Sequence, residues 1–131
     1  MAQLGMNVYL EGDFDTAVAT VTDELKKEGF GVLTEIDVKA TLKQKMDVDF
    51  RPYKILGACN PPLAHKALSA VPEVGLLLPC NVTVALEEDG RILVSIIDPN
   101  KMMSLLDHPQ LEEVACDAEV RLRRVAEALG A

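Results

Sequence analysis

The chain has 131 residues, enough for one domain that buries roughly two-thirds of its unfolded surface, so folding requires neither a disulfide nor a metal. Apolar residues make up 49% of it, which excludes wholesale disorder, and three Phe, two Tyr and no Trp leave the core to be built from aliphatic side chains. The net charge of −8 argues against the concentrated basic surface that a phosphate backbone requires, so no nucleic-acid partner is expected.

Val8 to Leu10 reads as a short first strand. Asp13 is placed as an N-cap, Phe14, Val18, Val21 and Leu25 follow at helical spacing, and Gly29 closes the helix. From Phe30 to Ile36 an alternating pattern predicts a strand, with Phe30, Val32, Thr34 and Ile36 sharing a face. Asp37 then opens a short helix through Lys45, and Met46 to Pro52 form a polar connection. Tyr53 to Cys59 reads as a buried strand. Asn60 caps the next helix with Pro61 at its first position; Leu63, Ala64, Ala67 and Leu68 make its apolar face, and Pro72 and Gly75 end the excursion. Cys80 to Leu86 and Arg91 to Ile97 form a hairpin around Asp89-Gly90. Asp98-Pro99 opens a short helix containing Met102, Met103, Leu105 and Leu106. A last helix carries Leu111, Val114, Ala115, Ala118, Leu122, Val125, Ala126 and Leu129 on one stripe and stops at Gly130.

This order predicts an α+β fold of the β-α-β4-α type with short helical insertions: a curved, mostly antiparallel sheet of four to five strands, with two long helices packed on one face. No Gly-rich phosphate fingerprint follows the first strand, which argues against a doubly wound sheet. The second face of the sheet also needs a cover, from the short helices or from a second subunit.

Three blocks stand out: Gly29-Phe30-Gly31-Val32-Leu33-Thr34, Ile55-Leu56-Gly57-Ala58-Cys59-Asn60-Pro61 and Gly75-Leu76-Leu77-Leu78-Pro79-Cys80-Asn81-Val82. With Asp98-Pro99 and the Met-rich segment after it, they resemble the family called domain of unknown function 302, from about Val8 to Leu129. The resemblance implies a TATA-binding-protein-like fold, with a curved antiparallel sheet and helices on one side, and a homodimer. It brings no established activity, and a fold shared with a DNA-binding protein does not carry DNA binding with it.

The repeated dipeptide Cys59-Asn60 and Cys80-Asn81 is the chemically informative feature, because each copy sits at an element boundary. Cys59 precedes a helix start, where the helix dipole and free N–H groups favour a thiolate, and His65 on that helix is a candidate general base. Against this stands the plain reading of Cys59 and Cys80 as small buried apolar residues, and of Asn60 and Asn81 as caps or turn formers. Should the thiols meet, a redox dithiol, a soft-metal site or the floor of a ligand pocket all stay open. A closed zinc site needs four ligands and no Cys-x-x-Cys exists, so His65, His108 or a second subunit would have to complete it; no metal and no cofactor is expected. Met46, Met102 and Met103 are spaced loosely, as core filler is. Glu35 and Asp37 share a strand face and read as solvated charges.

The expectation is therefore a small-ligand-binding or accessory domain with a cleft near Cys59, Asn60, His65, Cys80 and Asn81, and a homodimer. The alternatives are a thiol-dependent enzyme or redox protein using Cys59 and Cys80, and a purely structural homodimer. No apolar run has bilayer-spanning length, so no membrane partner is expected. The first residues show neither the basic region nor the apolar core of a signal peptide, and the cysteines are odd in number; both point to the cytoplasm.

Overall fold

In a computed structural model, which describes residues 3–130, five strands form one antiparallel sheet in the order β1-β5-β4-β3-β2. The strands are β1 (Gly5–Leu10), β2 (Gly31–Asp37), β3 (Tyr53–Cys59), β4 (Cys80–Leu86) and β5 (Ile92–Ile97). Strands β2 to β5 run as a meander, and the N-terminal strand returns to pair with β5, Gly5 opposite Ile97. Two long helices, α1 (Phe14–Lys27) and α5 (Pro109–Leu129), cover one face. Three short helices lie between strands or before α5: α2 (Val38–Met46), α3 (Pro61–Ala70) and α4 (Pro99–Met103). The expected α+β architecture is what forms.

The helix starts follow local chemistry. The Asp13 carboxylate accepts from Thr16 N at 2.9 Å, Asp37 from Ala40 N at 2.9 Å, and Asp98 from Asn100 N at 2.9 Å. Each satisfies a donor that the first turn of a helix otherwise leaves free. His108, considered above for a metal, is instead the cap of α5: its Nδ1 accepts from Gln110 N at 3.2 Å. The backbone reverses at the α1 and α5 ends through Gly29 and Gly130, both at positive φ.

The main core lies between the sheet and the two long helices. Leu56, Val82, Val84, Val94 and Ile96 meet Val21, Leu25, Leu122 and Val125, all fully buried or nearly so. Each such side chain contributes about 1.5–3 kcal/mol by leaving water. All eight stripe residues of α5 are buried. The first half of α5 serves a second, smaller core with Ala67 of α3, Val74 and Met103 of α4. Val74 sits in a 3-10 helix, Pro72–Leu77, a stretch whose Pro and Gly gave the sequence reading only an end to α3.

One strand departs from its expected pattern. Val32 pairs with Ala58 and Thr34 with Gly57, so Leu33 is an extra, unpaired residue, a β-bulge. The bulge moves Thr34 and Ile36 to the second face of the sheet, while Phe30 and Val32 pack on the core. Leu33 is left 69% exposed.

The short helices do not cover the second face. Helices α3 and α4 pack against α5, on the covered side, and α2 lies against β2 and β3 without burying any of its residues. One cross-strand row of the second face reads Tyr53, Ala85, Leu93 and Tyr9 by register. Tyr9 and Ile36 are each 48% exposed there. Arg91 lies over the Tyr9 ring, 4.1 Å from its centroid.

Candidate functional site

The two cores do not close completely on each other. Between them, at the end of the sheet where β3 finishes and β4 begins, is a cavity of about 30 Å³. Cys59 and Asn60 enter its lining from the β3–α3 junction, Cys80 from the start of β4, and Met103 from the end of α4. Apolar side chains such as Phe30, Leu63, Val114 and Ala118 complete the wall.

Sheet register brings the two cysteines together. Ala58 pairs with Cys80, and Cys59 is one residue further along β3. On a continuing strand, that step would send Cys59 to the opposite face. Cys59 is the last residue of β3 and still pairs with Gly31, between the buried Ala58 and Asn60, so both cysteines border the cavity while register puts their side chains on opposite faces of the sheet. Both are free; Cys80 is 7% exposed and Cys59 half-buried. Burial, and then the charge of neighbouring Cys59, push the Cys80 thiol up to about 11, so at neutral pH it keeps its proton.

Asn60 is the one buried polar residue of the chain's described core. Its Oδ1 accepts from Leu63 N at 3.3 Å, and its Nδ2 donates a long bond, 3.5 Å, to Glu28 O at the end of α1. Arg121 Nη1 reaches the same carbonyl at 3.5 Å. Gly29 makes this possible twice over. Its φ of +82° disfavours any side chain, and a Cβ there would sit 2.9 Å from Asn60 Nδ2. The Asn60 amide therefore ties α3 to α1, and its acceptor is taken up by the cap. The expected donors for a Cys59 thiolate are also spent. Pro61 and Pro62 carry no N–H, and Leu63 N is bonded to Asn60, so the first N–H groups of α3 are not free for Cys59.

The remaining candidates stay outside. Asn81 is exposed on β4 by the Gly57 register position and does not line the cavity. His65 is exposed on α3, also away from it. Cys116 is exposed, its Sγ 3.6 Å from Asn100 Oδ1. Glu35 pairs with Lys54 at 3.6 Å while Asp37 caps α2, so these carboxylates form no acid/base pair. Among the described residues no three His, Cys, Asp or Glu side chains converge in a metal-holding group, and no buried side-chain N or O is left without a partner. Met103 is the lining residue that sequence reasoning placed only as filler, because a Met on a short apolar helix carries no signal of what it faces.

The family model described as domain of unknown function DUF302 matches residues 6–129. The chain belongs to the DUF302 family. A crystal structure of an uncharacterized conserved DUF302 protein from Bacillus stearothermophilus is similar to it over the whole fold, with a TM-score of 0.87 and 31% identity, covering 96% of this chain and 98% of that one. No curated protein matches the chain. Membership confirms the resemblance carried by the Gly-Ala-Cys-Asn-Pro and Leu-Pro-Cys-Asn blocks. In this DUF302 chain those two blocks supply the β3–α3 junction and the start of β4, the two sides of the cavity. No helix among the described residues is long and apolar enough to cross a membrane.

Proposed function

We propose that this DUF302 protein is a small-ligand-binding or accessory domain whose site is the cavity between the two cores. One observation carries the reading: Cys59, Asn60 and Cys80, from the β3–α3 junction and the start of β4, border a partly open cavity between the two packed cores. A thiol enzyme is the weaker reading. Cys80 holds its proton, no His lines the cavity, and the first N–H groups of α3 are missing or used. The test is native mass spectrometry of the purified, reduced protein, with and without a chelator. A reproducible added mass, lost in Cys59→Ala or Cys80→Ala, supports the reading. A clean mass that matches the sequence in every preparation overturns a tightly held ligand.

A second observation supports a second copy of this chain as partner. The apolar row across the uncovered sheet face, with half-exposed Tyr9 and Ile36, suits a self-complementary dimer contact. Nucleic acid is not proposed. Arg121, Arg123 and Arg124, the densest basic run, are paired with Asp117, Glu119 and Glu28 at 2.9, 3.5 and 2.9 Å. Unpaired thiols at the site suit a reducing compartment such as the cytoplasm.

A further inference from the structure

We propose that each protomer of the dimer docks its basic helix α2 on an acidic corner of the other, formed by the end of β1 and the β4–β5 turn. This rests on the second-copy reading above and names the contact that orients the two chains.

Helix α2 lacks support within its own chain. It has nine residues and buries none of them. Isolated helices below about 12 residues are marginal in water. The Asp37 cap and the exposed pairs of Lys43 with Asp47 and Asp49, at 3.0 and 3.4 Å, give it only modest help. Its apolar stripe is Val38, Leu42 and Met46. Lys39 and Lys43 flank that stripe on one side and Lys45 on the other, with no acid in the helix. Met46 stays exposed, as do Val48 and Phe50 after it. The Phe50 ring lies 6.1 Å from that of Tyr53, which opens the apolar row of the bare face. The uncovered arm and the uncovered face are thus one continuous surface.

Topology and charge select where α2 lands. Two sheets packed face to face keep their strands within about 30° of alignment, so a two-fold axis between them runs either along the strands or across them. The sheet order is β1-β5-β4-β3-β2, and α2 sits on the β3–β2 side, at the end where Asp37 pairs with Lys54. An axis along the strands keeps like ends together and exchanges sides. It sets α2 over the partner at the corner where Leu10 pairs with Ile92. Exposed Glu11 and Glu88 stand there, after β1 and in the β4–β5 turn. The nearby arginines are engaged, Arg91 with Asp89 at 2.8 Å and Arg51 with Glu87 at 3.1 Å. Among the described residues Glu11, Glu88, Lys39 and Lys45 make no ion pair within the chain. Surplus lysines therefore meet surplus carboxylates, twice per dimer. An axis across the strands would set α2 over the partner at the opposite end, where Gly31 and Cys59 supply no carboxylate.

The experiment is sedimentation equilibrium of the reduced full chain. A dimer is expected, with a dissociation constant that rises with salt. Lys39→Glu with Lys45→Glu should weaken it by about tenfold or more, because each change acts twice across the two-fold. Glu11→Lys with Glu88→Lys should do the same. All four changes together should return the constant to within about threefold of the parent, as coupled sites do. All four side chains are exposed, so circular dichroism should show unchanged helix content. A parent dimer that neither pair of changes weakens, or a four-site variant as weak as the pairs, overturns the docking and leaves the second copy standing as partner. A parent that stays monomeric at every concentration overturns both.

Discussion

A cysteine thiol can be a nucleophile or a hydrophobe, and burial decides which. Cys80 is enclosed and pushed up to about 11, against an ordinary 9.0. The folded state therefore holds its proton more tightly than the unfolded chain does. This stabilisation is complete below about pH 9 and is lost as pH rises through about 11. The contribution is on the order of 2–3 kcal/mol. Urea unfolding followed across this window should show a steeper loss of stability in the parent than in Cys80→Ala, which has no such proton to lose. Parallel slopes would mean that the thiol is as accessible folded as unfolded. The Cys-Asn repeat was legible as a site because both copies fall at boundaries. That Asn60 belongs to the scaffold and Asn81 to the surface was not, since the difference lies in contacts with Glu28 and with solvent, far apart in sequence. Met103 was hidden for the same reason.

Among the elements, β2 shows how one residue redirects a strand. The extra Leu33 sends Thr34 and Ile36 to the second face. Deleting Leu33 should force either Phe30 and Val32 out of the core or Thr34 and Ile36 into it. A loss of about 3 kcal/mol or more is expected in chemical denaturation, whereas Leu33→Ala, at a 69% exposed position, should change stability by less than about 0.5 kcal/mol. Equal effects of the two changes would show that the bulge does not set the register. The helices with caps were readable from sequence, because Asp13, Asp37, Asn60 and Asp98 act on neighbours only two or three residues away. The α5 stripe was readable because burial repeats with the helical period. The bulge was not: Phe30 to Ile36 alternates as cleanly as an unbroken strand, and only the Ala58 and Gly57 partners reveal the slip. The 3-10 helix Pro72–Leu77 was lost among its own turn residues.

For the molecule as a whole, the sheet is covered on one side and bare on the other. A dimer through the bare face predicts twice the chain mass in sedimentation, and a monomer of unchanged helix content in the double variant Ile36→Lys, Leu93→Lys. A parent chain that sediments as a monomer at all concentrations would remove the second copy as partner. The covered side and the element order followed from hydrophobic pattern; the bare face did not, because period-two apolar residues look alike whether helices or another subunit lie over them. The return of β1 to β5 has one more consequence. Gly5 finds its partner at Ile97, so a chain emerging from the ribosome has no place for its first strand until nearly three-quarters of the protein has been made. The meander from β2 to β5 closes by neighbouring hairpins, but β1 must wait as an unpaired edge. Assembly of this fold is thereby tied to the late arrival of β5, and the nascent chain carries one open strand that other chains can capture in the interval.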